Sequence, residues 1–423
     1  MATQDLISLL RTSTVDFDFY EALYRHFHSQ PELSYQEVQT AAKAASLLRS
    51  LKAGYEVQTS IGGHGLVGVL KNGAGKTVLL RADMDALPVK EDTGLDYASK
   101  VTMRDRDDIV KPVMHACGHD FHVTSLLAAA ERLAKMKDSW SGTLIVLFQP
   151  NEERAGGAQA MVDDGLYDKI PVPDVVLGQH VMPRKTSYVG SRMGNIMSEA
   201  DSFKITLYGR GGHGSMPHRT VDPVVMAVGV VTKLQTIVSR EVDPDQFAVV
   251  TVGSLQAGQT ENIISDRAEV RVNVRTQNHE VRNRVLASIR RIVKGECEAS
   301  GATKEPLIEE TTKFPLSVND EAVTTEVHKS FEAFFGDLFD PNTPCSTASE
   351  DYSILGSSQG KPCCFWFFGG TDAKTWDDAE KNGRLAEDIP VNHSPFFAPV
   401  IQPTLATGID ALCLAALTFL KTS

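Results

Sequence analysis

"MHACGHDFHVTSLLAAAERLAKMKDSWSGTLIVLFQPNEE", Met114 to Glu153, combines a helix, a strand and two clusters of reactive side chains. From His122 to Met136 the apolar residues recur at helical spacing. "GTLIVLFQP" is a short continuous apolar run, as a strand buried on both faces requires. Similar runs, "GLVGVL", "TVLLRADM" and "VVLGQHV", alternate with helical patterns at 19–29 and 36–52. That alternation predicts an α/β domain of three layers, with a mostly parallel sheet covered on both faces. "KNGAGK", between "GLVGVL" and "TVLLRADM", predicts a hairpin joining those two strands.

Residues 197–312 have a different rhythm. "SFKITLYG", "FAVVTVGSLQAG", "RAEVRVNVRT" and a short strand near "KEPLIEET" are interleaved with helices at "DPVVMAVGVVTKLQTIV" and "EVRNRVLASIRRIVKGECEAS". The order is β-α-β-β-α-β, that of a ferredoxin-like domain. A self-contained unit in mid-chain predicts an insertion at 197–312 into a discontinuous domain of residues 1–196 and 313–423. The second part of that domain holds a helix at 320–335, the core strand "KPCCFWFFGG" and the apolar helix "TLATGIDALCLAALTFL".

With 423 residues, two domains are expected. A formal charge of −12 with no Lys/Arg block argues against nucleic acid or an anionic membrane as partner. Apolar stretches such as "VVMAVGVV" are too short to span a bilayer. The start, with Asp5 and no basic run, does not read as a secretory signal. Six scattered cysteines form no disulfide framework, so a reducing, cytoplasmic compartment is expected.

Cys117 and His119 offer thiolate and imidazole, first-rank ligands for zinc-like ions. Three other apolar runs close on donors: Glu152 and Glu153 after "LIVLFQPN", His180 in "VVLGQH" and His393 in "PVNHSPFF". In an open parallel sheet the carboxyl ends of strands share one edge. Cys117, His119, Glu153, His180 and His393 are therefore expected to converge. Five donors suit two divalent ions better than one tetrahedral zinc; zinc is favoured, while manganese, cobalt and nickel also fit. One of the paired glutamates can ligate while Glu152 stays available as general base.

Asp83 and Asp85 follow another strand. They could ligate, cap a helix, or accept a ring N–H from a ligating histidine, and the last is preferred. His213 sits among glycines in "YGRGGHGSMPH" and could donate to an oxyanion or a carboxylate; Asn262 and Arg275 could hold a substrate carboxylate. The bland readings stand beside these. His115 and His122 read as packing or helix-start residues, and His26 and His28 as a helix C-terminal turn. Cys117 alone would read as a buried thiol.

"RHFHSQPELSYQE", "LLRADMDALP", "MHACGHD", "FQPNEE", "GQHVMP", "GRGGHGSMPH", "NIISD", "SED" and "NHSPFF" occur in the order seen in the aminoacylase/carboxypeptidase-type metallopeptidases. The resemblance is strongest to the branch of hippurate hydrolases, auxin-conjugate hydrolases and N-acyl-amino acid amidohydrolases, and runs from about residue 25 to 397. It implies a dinuclear site with Cys117 bridging, Glu152 as general base, and His213 as an oxyanion donor. It further implies Asn262 holding the substrate carboxylate, and the insertion serving as lid and homodimer interface. Asn151, Gly214 and the run "FFAPVIQP" depart from the usual pattern without removing a ligand or the base. The expected activity is metal-dependent hydrolysis of the amide bond in a small N-acyl amino acid. The alternatives are a dipeptidase or carboxypeptidase using the same site, a thiol amidase with Cys117 as nucleophile and His119 as base, and a catalytically silent metal-bound protein.

Overall fold

The computed structural model describes residues 3–420. The chain forms two compact units: Met1–Ile196 with Val318–Cys345 and Asp351–Ser423, and Met197–Ser317 with Ser346–Glu350. The first is built on an eight-stranded sheet. Its centre is four parallel strands, β1 (Thr77–Asp83), β2 (Gly142–Gln149), β3 (Val175–Lys185) and β4 (Cys363–Thr371), in the order β2-β1-β3-β4. Gly65–Asn72 and then Glu56–Ile61 extend the sheet antiparallel beyond β2. The short strands Val189–Gly190 and Phe339–Asp340 close the other side.

The hairpin expected at "KNGAGK" does not form. Gly65–Asn72 and β1 do not pair with each other, because β2 lies between them and bonds to both. The start of β2 is threaded against the connection: Thr143 N donates to Lys76 O at 2.9 Å, and a Cβ on Gly142 would lie 2.4 Å from that same oxygen. Gly142 (φ +121°) is thus what lets a third strand enter where a tight turn would otherwise join two.

Helix α1 (His119–Lys135) is buried nearly all round, with only Glu131, Ala134 and Lys135 reaching solvent. Such a helix belongs inside a core rather than on a surface. It packs on helix α2 (Ile401–Phe419), which also touches β3, β4 and the helix Glu321–Phe335. α2 is long and apolar enough by composition to cross a membrane, unlike the shorter runs noted above, but 72% of its apolar window is buried within the protein. Its apolarity is that of a core element. Between the helices and the sheet, Phe121, Leu126, Leu133, Leu405, Leu412, Trp366 and Phe368 are fully or almost fully buried.

The second unit has four antiparallel strands in the order Ala248–Ala257, Arg267–Thr276, Glu199–Tyr208, Leu307–Phe314. Helices Pro223–Arg240 and His279–Ala299, N-capped by Asp222 and Asn278, supply Met226, Val230, Leu234, Val285 and Ile289 to its core. This is the β-α-β-β-α-β order. The unit runs past residue 312 because Leu307–Phe314 stays paired to Glu199–Tyr208 as far as Phe314. It also takes in 346–350, where Ser198 N donates to Ala348 O at 2.9 Å.

Leu412→Ala in α2 removes a side chain 1% exposed and is expected to destabilise the protein by about 2–5 kcal/mol. The urea midpoint followed by circular dichroism checks this.

Candidate metal centre

The carboxyl ends of β1 and β2 and the start of α1 meet at one edge of the large sheet. β1 ends in Asp83, with Asp85 just beyond; β2 ends in Gln149 and leads into the turn that carries Glu152 and Glu153. His180 lies within β3, which continues to Lys185 rather than stopping at the histidine. Gly118, at the head of α1, has φ +83°, and a Cβ there would sit 2.3 Å from Val181 Cγ1. Only glycine fits, and its left-handed turn separates Cys117 from His119 so that both side chains stay buried at the edge.

The five expected ligands lie together. Cys117 Sγ is 3.4 Å from His180 Nε2, and His393 Nε2 is 3.3 Å from Glu153 Oε1. Ligand atoms of Cys117, Glu153 and His393 fall within 4.8 Å of one another. His119 Nε2 faces Asp83 Oδ2 at 3.5 Å, Glu153 Oε1 at 3.9 Å and Glu152 Oε2 at 4.0 Å.

Two tests bear on whether these residues suit a cation. First, both ring nitrogens of His119 are buried and make no hydrogen bond, only contacts of 3.5 Å to Asp83 and Asp85, which is costly for polar atoms unless something else binds them. Second, His180 Nδ1–H donates to Val181 O at 2.7 Å, which fixes the tautomer and turns the Nε2 lone pair toward Cys117. The donor set of thiolate, imidazole and carboxylate fits divalent ions of the zinc class.

His122, stacked on His119, is not available as a ligand. Its Nδ1–H donates to Asp83 Oδ1 at 2.5 Å and its Nε2 accepts from Val181 N at 2.9 Å, so both nitrogens are engaged. Asp83 therefore orients a histidine, though His122 rather than a proposed ligand. Asp85 faces His119 Nδ1 at 3.5 Å and accepts from the backbone N–H of Glu152 and Glu153 at 3.0 and 3.1 Å. His115 is a packing histidine that burial pushes down to about 4.

Beneath the edge lies a charged layer not anticipated from the sequence. Arg81, 1% exposed, donates to Asp83 Oδ2 at 2.7 Å and Gln149 Oε1 at 2.9 Å, and sits 3.6 Å from Asp351. Its signal was a lone arginine inside the apolar run "VLLRAD". His28 likewise exceeds a helix C-terminal turn. It is buried between Asp120 Oδ2 at 2.7 Å and Glu91 Oε1 at 3.0 Å. Asp120 follows His119, so this ion pair anchors the start of α1 to the helix Phe17–Ser29.

His213, Asn262 and Arg275 belong to the second unit. Gly212–His213 pairs with Ile263–Ile264, and Gly214 N donates to Asn262 O at 2.8 Å, so His213 and Asn262 share one exposed loop pair. Ser215 N donates to His213 Nδ1 at 3.1 Å, which leaves Nε2–H as an exposed donor. Arg275 donates to Thr347 O at 2.9 Å and Asn273 Oδ1 at 3.2 Å, tying the segment 346–350 to the small sheet.

Residues 79–389 match the sequence pattern of peptidase family M20/M25/M40. The chain is 40% identical to a hippurate hydrolase of Campylobacter jejuni over 353 residues, covering 82% of this chain and 87% of that one. It is 36% identical to thermostable carboxypeptidase 2 of Saccharolobus solfataricus over 427 residues, 98% and 99% of the two chains. The structure of the Bacillus subtilis YXEP protein, described as a dinuclear metal binding peptidase, superposes with a TM-score of 0.72 at 26% identity, covering 96% of this chain and 99% of that one.

The His28 pair gives a pH signature. Burial works against the charged ring, but the hydrogen bonds and charges of Asp120 and Glu91 outweigh it and hold His28 up at about 9, from an ordinary 6.5. A raised folded-state value means the stabilisation is complete below pH 6.5 and is lost as pH rises through about 9. At most about 3 kcal/mol is involved. The stability difference between wild type and His28→Gln, from urea unfolding, is expected to shrink across that window; a pH-independent difference contradicts the assignment.

Proposed function

The chain belongs to peptidase family M20/M25/M40, and from that premise we propose that it is a metal-dependent amidohydrolase acting on N-acyl amino acids. The observation that carries the reading is the donor set, Cys117, His119, Glu153, His180 and His393, with a further carboxylate, Glu152, 4.0 Å from His119 Nε2. Those five residues would hold two divalent ions, zinc foremost, with manganese, cobalt or nickel as other occupants. Bound there, the ions supply Lewis acidity toward water and the scissile carbonyl.

Glu152 takes the proton of the attacking water and delivers it to the leaving nitrogen. Water adds to the carbonyl carbon, the C–N bond breaks, and a carboxylic acid and a free amino acid leave. Asp85 keeps the glutamate pair in place through their backbone N–H groups. The oxyanion role proposed for His213, and the carboxylate-holding roles proposed for Asn262 and Arg275, rest on resemblance and chemistry. The exposed Nε2–H of His213 supports the first, while the engagement of Arg275 with Thr347 leaves it the weaker candidate.

A carboxypeptidase reading is favoured by the full-length likeness to the Saccharolobus protein. The two differ only in what lies beyond the acyl carbonyl. Hydrolysis of N-benzoyl and N-acetyl amino acids, compared with dipeptides, separates them; the proposal expects the acyl substrates to have the higher kcat/KM. Cytoplasmic residence is part of the proposal, supported by the absence of any disulfide among the six cysteines. Homodimerisation through the inserted unit is also proposed. Val224, Val225 and Val228, exposed by 39, 68 and 52% on the helix Pro223–Arg240, support it. Val225→Glu is expected to convert a dimer into a monomer in sedimentation analysis.

Purified protein is expected to carry about two divalent ions per chain, and chelation to abolish hydrolysis until metal is restored. Glu152→Gln is expected to keep those ions and lose about 10²–10⁴-fold in kcat. Wild-type turnover in this variant would remove Glu152 as the base.

A further inference from the structure

"PELSYQE", Pro31 to Glu37, has no part in the chemistry above, yet it touches the turn on which Glu152 and Glu153 sit. Three consecutive backbone N–H groups of that turn end on two buried carboxylates. Asn151 N donates to Glu37 Oε1 at 2.8 Å, Glu152 N to Asp85 Oδ1 at 3.0 Å, and Glu153 N to Asp85 Oδ2 at 3.1 Å. Ser34 Oγ in turn donates to Asp85 Oδ2 at 2.6 Å. One short segment thus holds one clamp directly and steadies the other.

The placement of Glu37 argues against a purely local role. Glu37 is the N-cap residue of the helix Val38–Ser50, where a side chain normally caps its own helix, but it makes no such bond. Glu32 caps instead, accepting from Gln39 N at 3.0 Å and Thr40 N at 2.8 Å. Glu37, 0% exposed, accepts through Oε1 both from Tyr35 N at 3.0 Å in its own segment and from Asn151 N in the turn, and its Oε2 has no partner. The turn needs holding: Asn151 and Ala155 are left-handed, with φ of +53° and +54°. Such residues persist only where surrounding contacts over-determine them.

We propose that Glu37 and Ser34 are positioning residues for the general base, clamping the Asn151–Glu153 turn so that the Glu152 carboxylate stays in register with the metal ligands. The proposal rests on the assignment of Glu152 given above. A misplacement of about 1 Å at the reacting groups can cost roughly a hundredfold in rate, so a loosened turn lowers kcat.

The test uses Glu37→Leu, which leaves the Asn151 N–H without an acceptor, and Glu37→Gln, which keeps an acceptor oxygen. Glu37→Leu is expected to lower kcat at least about tenfold, with KM within about threefold of wild type and the ions per chain unchanged; Glu37→Gln is expected to recover to within about threefold. Wild-type kcat in the leucine variant, or equal loss in both variants, overturns the clamp. If Glu37→Leu does not fold, Ser34→Ala decides: a fall in kcat at constant KM and metal content supports the clamp, and an unchanged kcat overturns it. Glu152→Gln assayed in parallel keeps the two ideas apart. If that variant is active, the base assignment fails; if it is inactive while the clamp variants are normal, only the clamp fails.

Discussion

Gathering buried carboxylates at one sheet edge is the constraint around which this structure is arranged. Glu37, Asp83, Asp85 and Glu152 are each at most 5% exposed. An ionised carboxylate out of water is tolerated only when paired, hydrogen-bonded or bound to a cation. The fold supplies each kind of compensation in a different place. Arg81 neutralises Asp83 from below, backbone N–H groups satisfy Asp85, burial and the neighbouring Asp85 push Glu37 up to about 8 so that it keeps its proton, and His28 balances Asp120 one layer out. His119 faces carboxylates of the same group. Three carboxylates surround its Nε2 at 3.5 to 4.0 Å, outside hydrogen-bonding geometry. Carboxylates gathered around an imidazole at this edge are a donor set suited to divalent cations.

Several left-handed backbone positions lie at the same edge. Gly118 and His393, with φ of +83° and +69°, flank or form the ligand set, and Asn151 and Ala155 bracket the paired glutamates. At His393, Asn151 and Ala155, which carry a Cβ, that conformation costs free energy that a loose loop would relieve by relaxing. Here the relaxed forms are blocked: His393 N is bonded to Ala116 O at 2.7 Å, and the Asn151–Glu153 amides are held by carboxylates. Rigid strands and α1 set the frame, and short strained turns aim the donors from it. A site that must place several ligand atoms to within a fraction of an ångström gains from that arrangement.

What could be read in the sequence followed from local pattern. "GTLIVLFQP" and "CCFWFF" are buried strands because a continuous apolar run has no other economical place, and β-α-β-β-α-β follows from alternation and length. The donor cluster was legible because each donor sits beside such a run. Sheet order was not. Whether β1 pairs with Gly65–Asn72 depends on where β2, sixty residues later, inserts, and "KNGAGK" carries a hairpin signal either way. Arg81, His28 and Glu37 escaped for the same reason. A charged residue in an apolar run, a histidine in a last turn and a glutamate at a helix start have ordinary local explanations. Their partners Asp351, Glu91, Asp120 and Asn151 are set by tertiary packing alone.

The surroundings of Cys117 choose between the two chemistries a buried thiol beside histidines can offer. Burial, then the charges of Glu153, Glu152 and Asp83, push its thiol well up. A nucleophilic cysteine needs the opposite, an environment that favours thiolate, and a basic partner to take its proton. The imidazole of His180 lies 3.4 Å from Cys117 Sγ, and burial followed by the neighbouring His122 pushes it well down, so it is a poor proton acceptor. The carboxylates that oppose an isolated thiolate are the groups that attract a cation, and a bound cation stabilises the thiolate in turn. Sulfur and carboxylates at this edge therefore make one physical case: a cation held there by Cys117 and its neighbours would stabilise the thiolate, and its uptake would release a proton. The same electrostatics that disfavours Cys117 as a nucleophile favours it as a ligand.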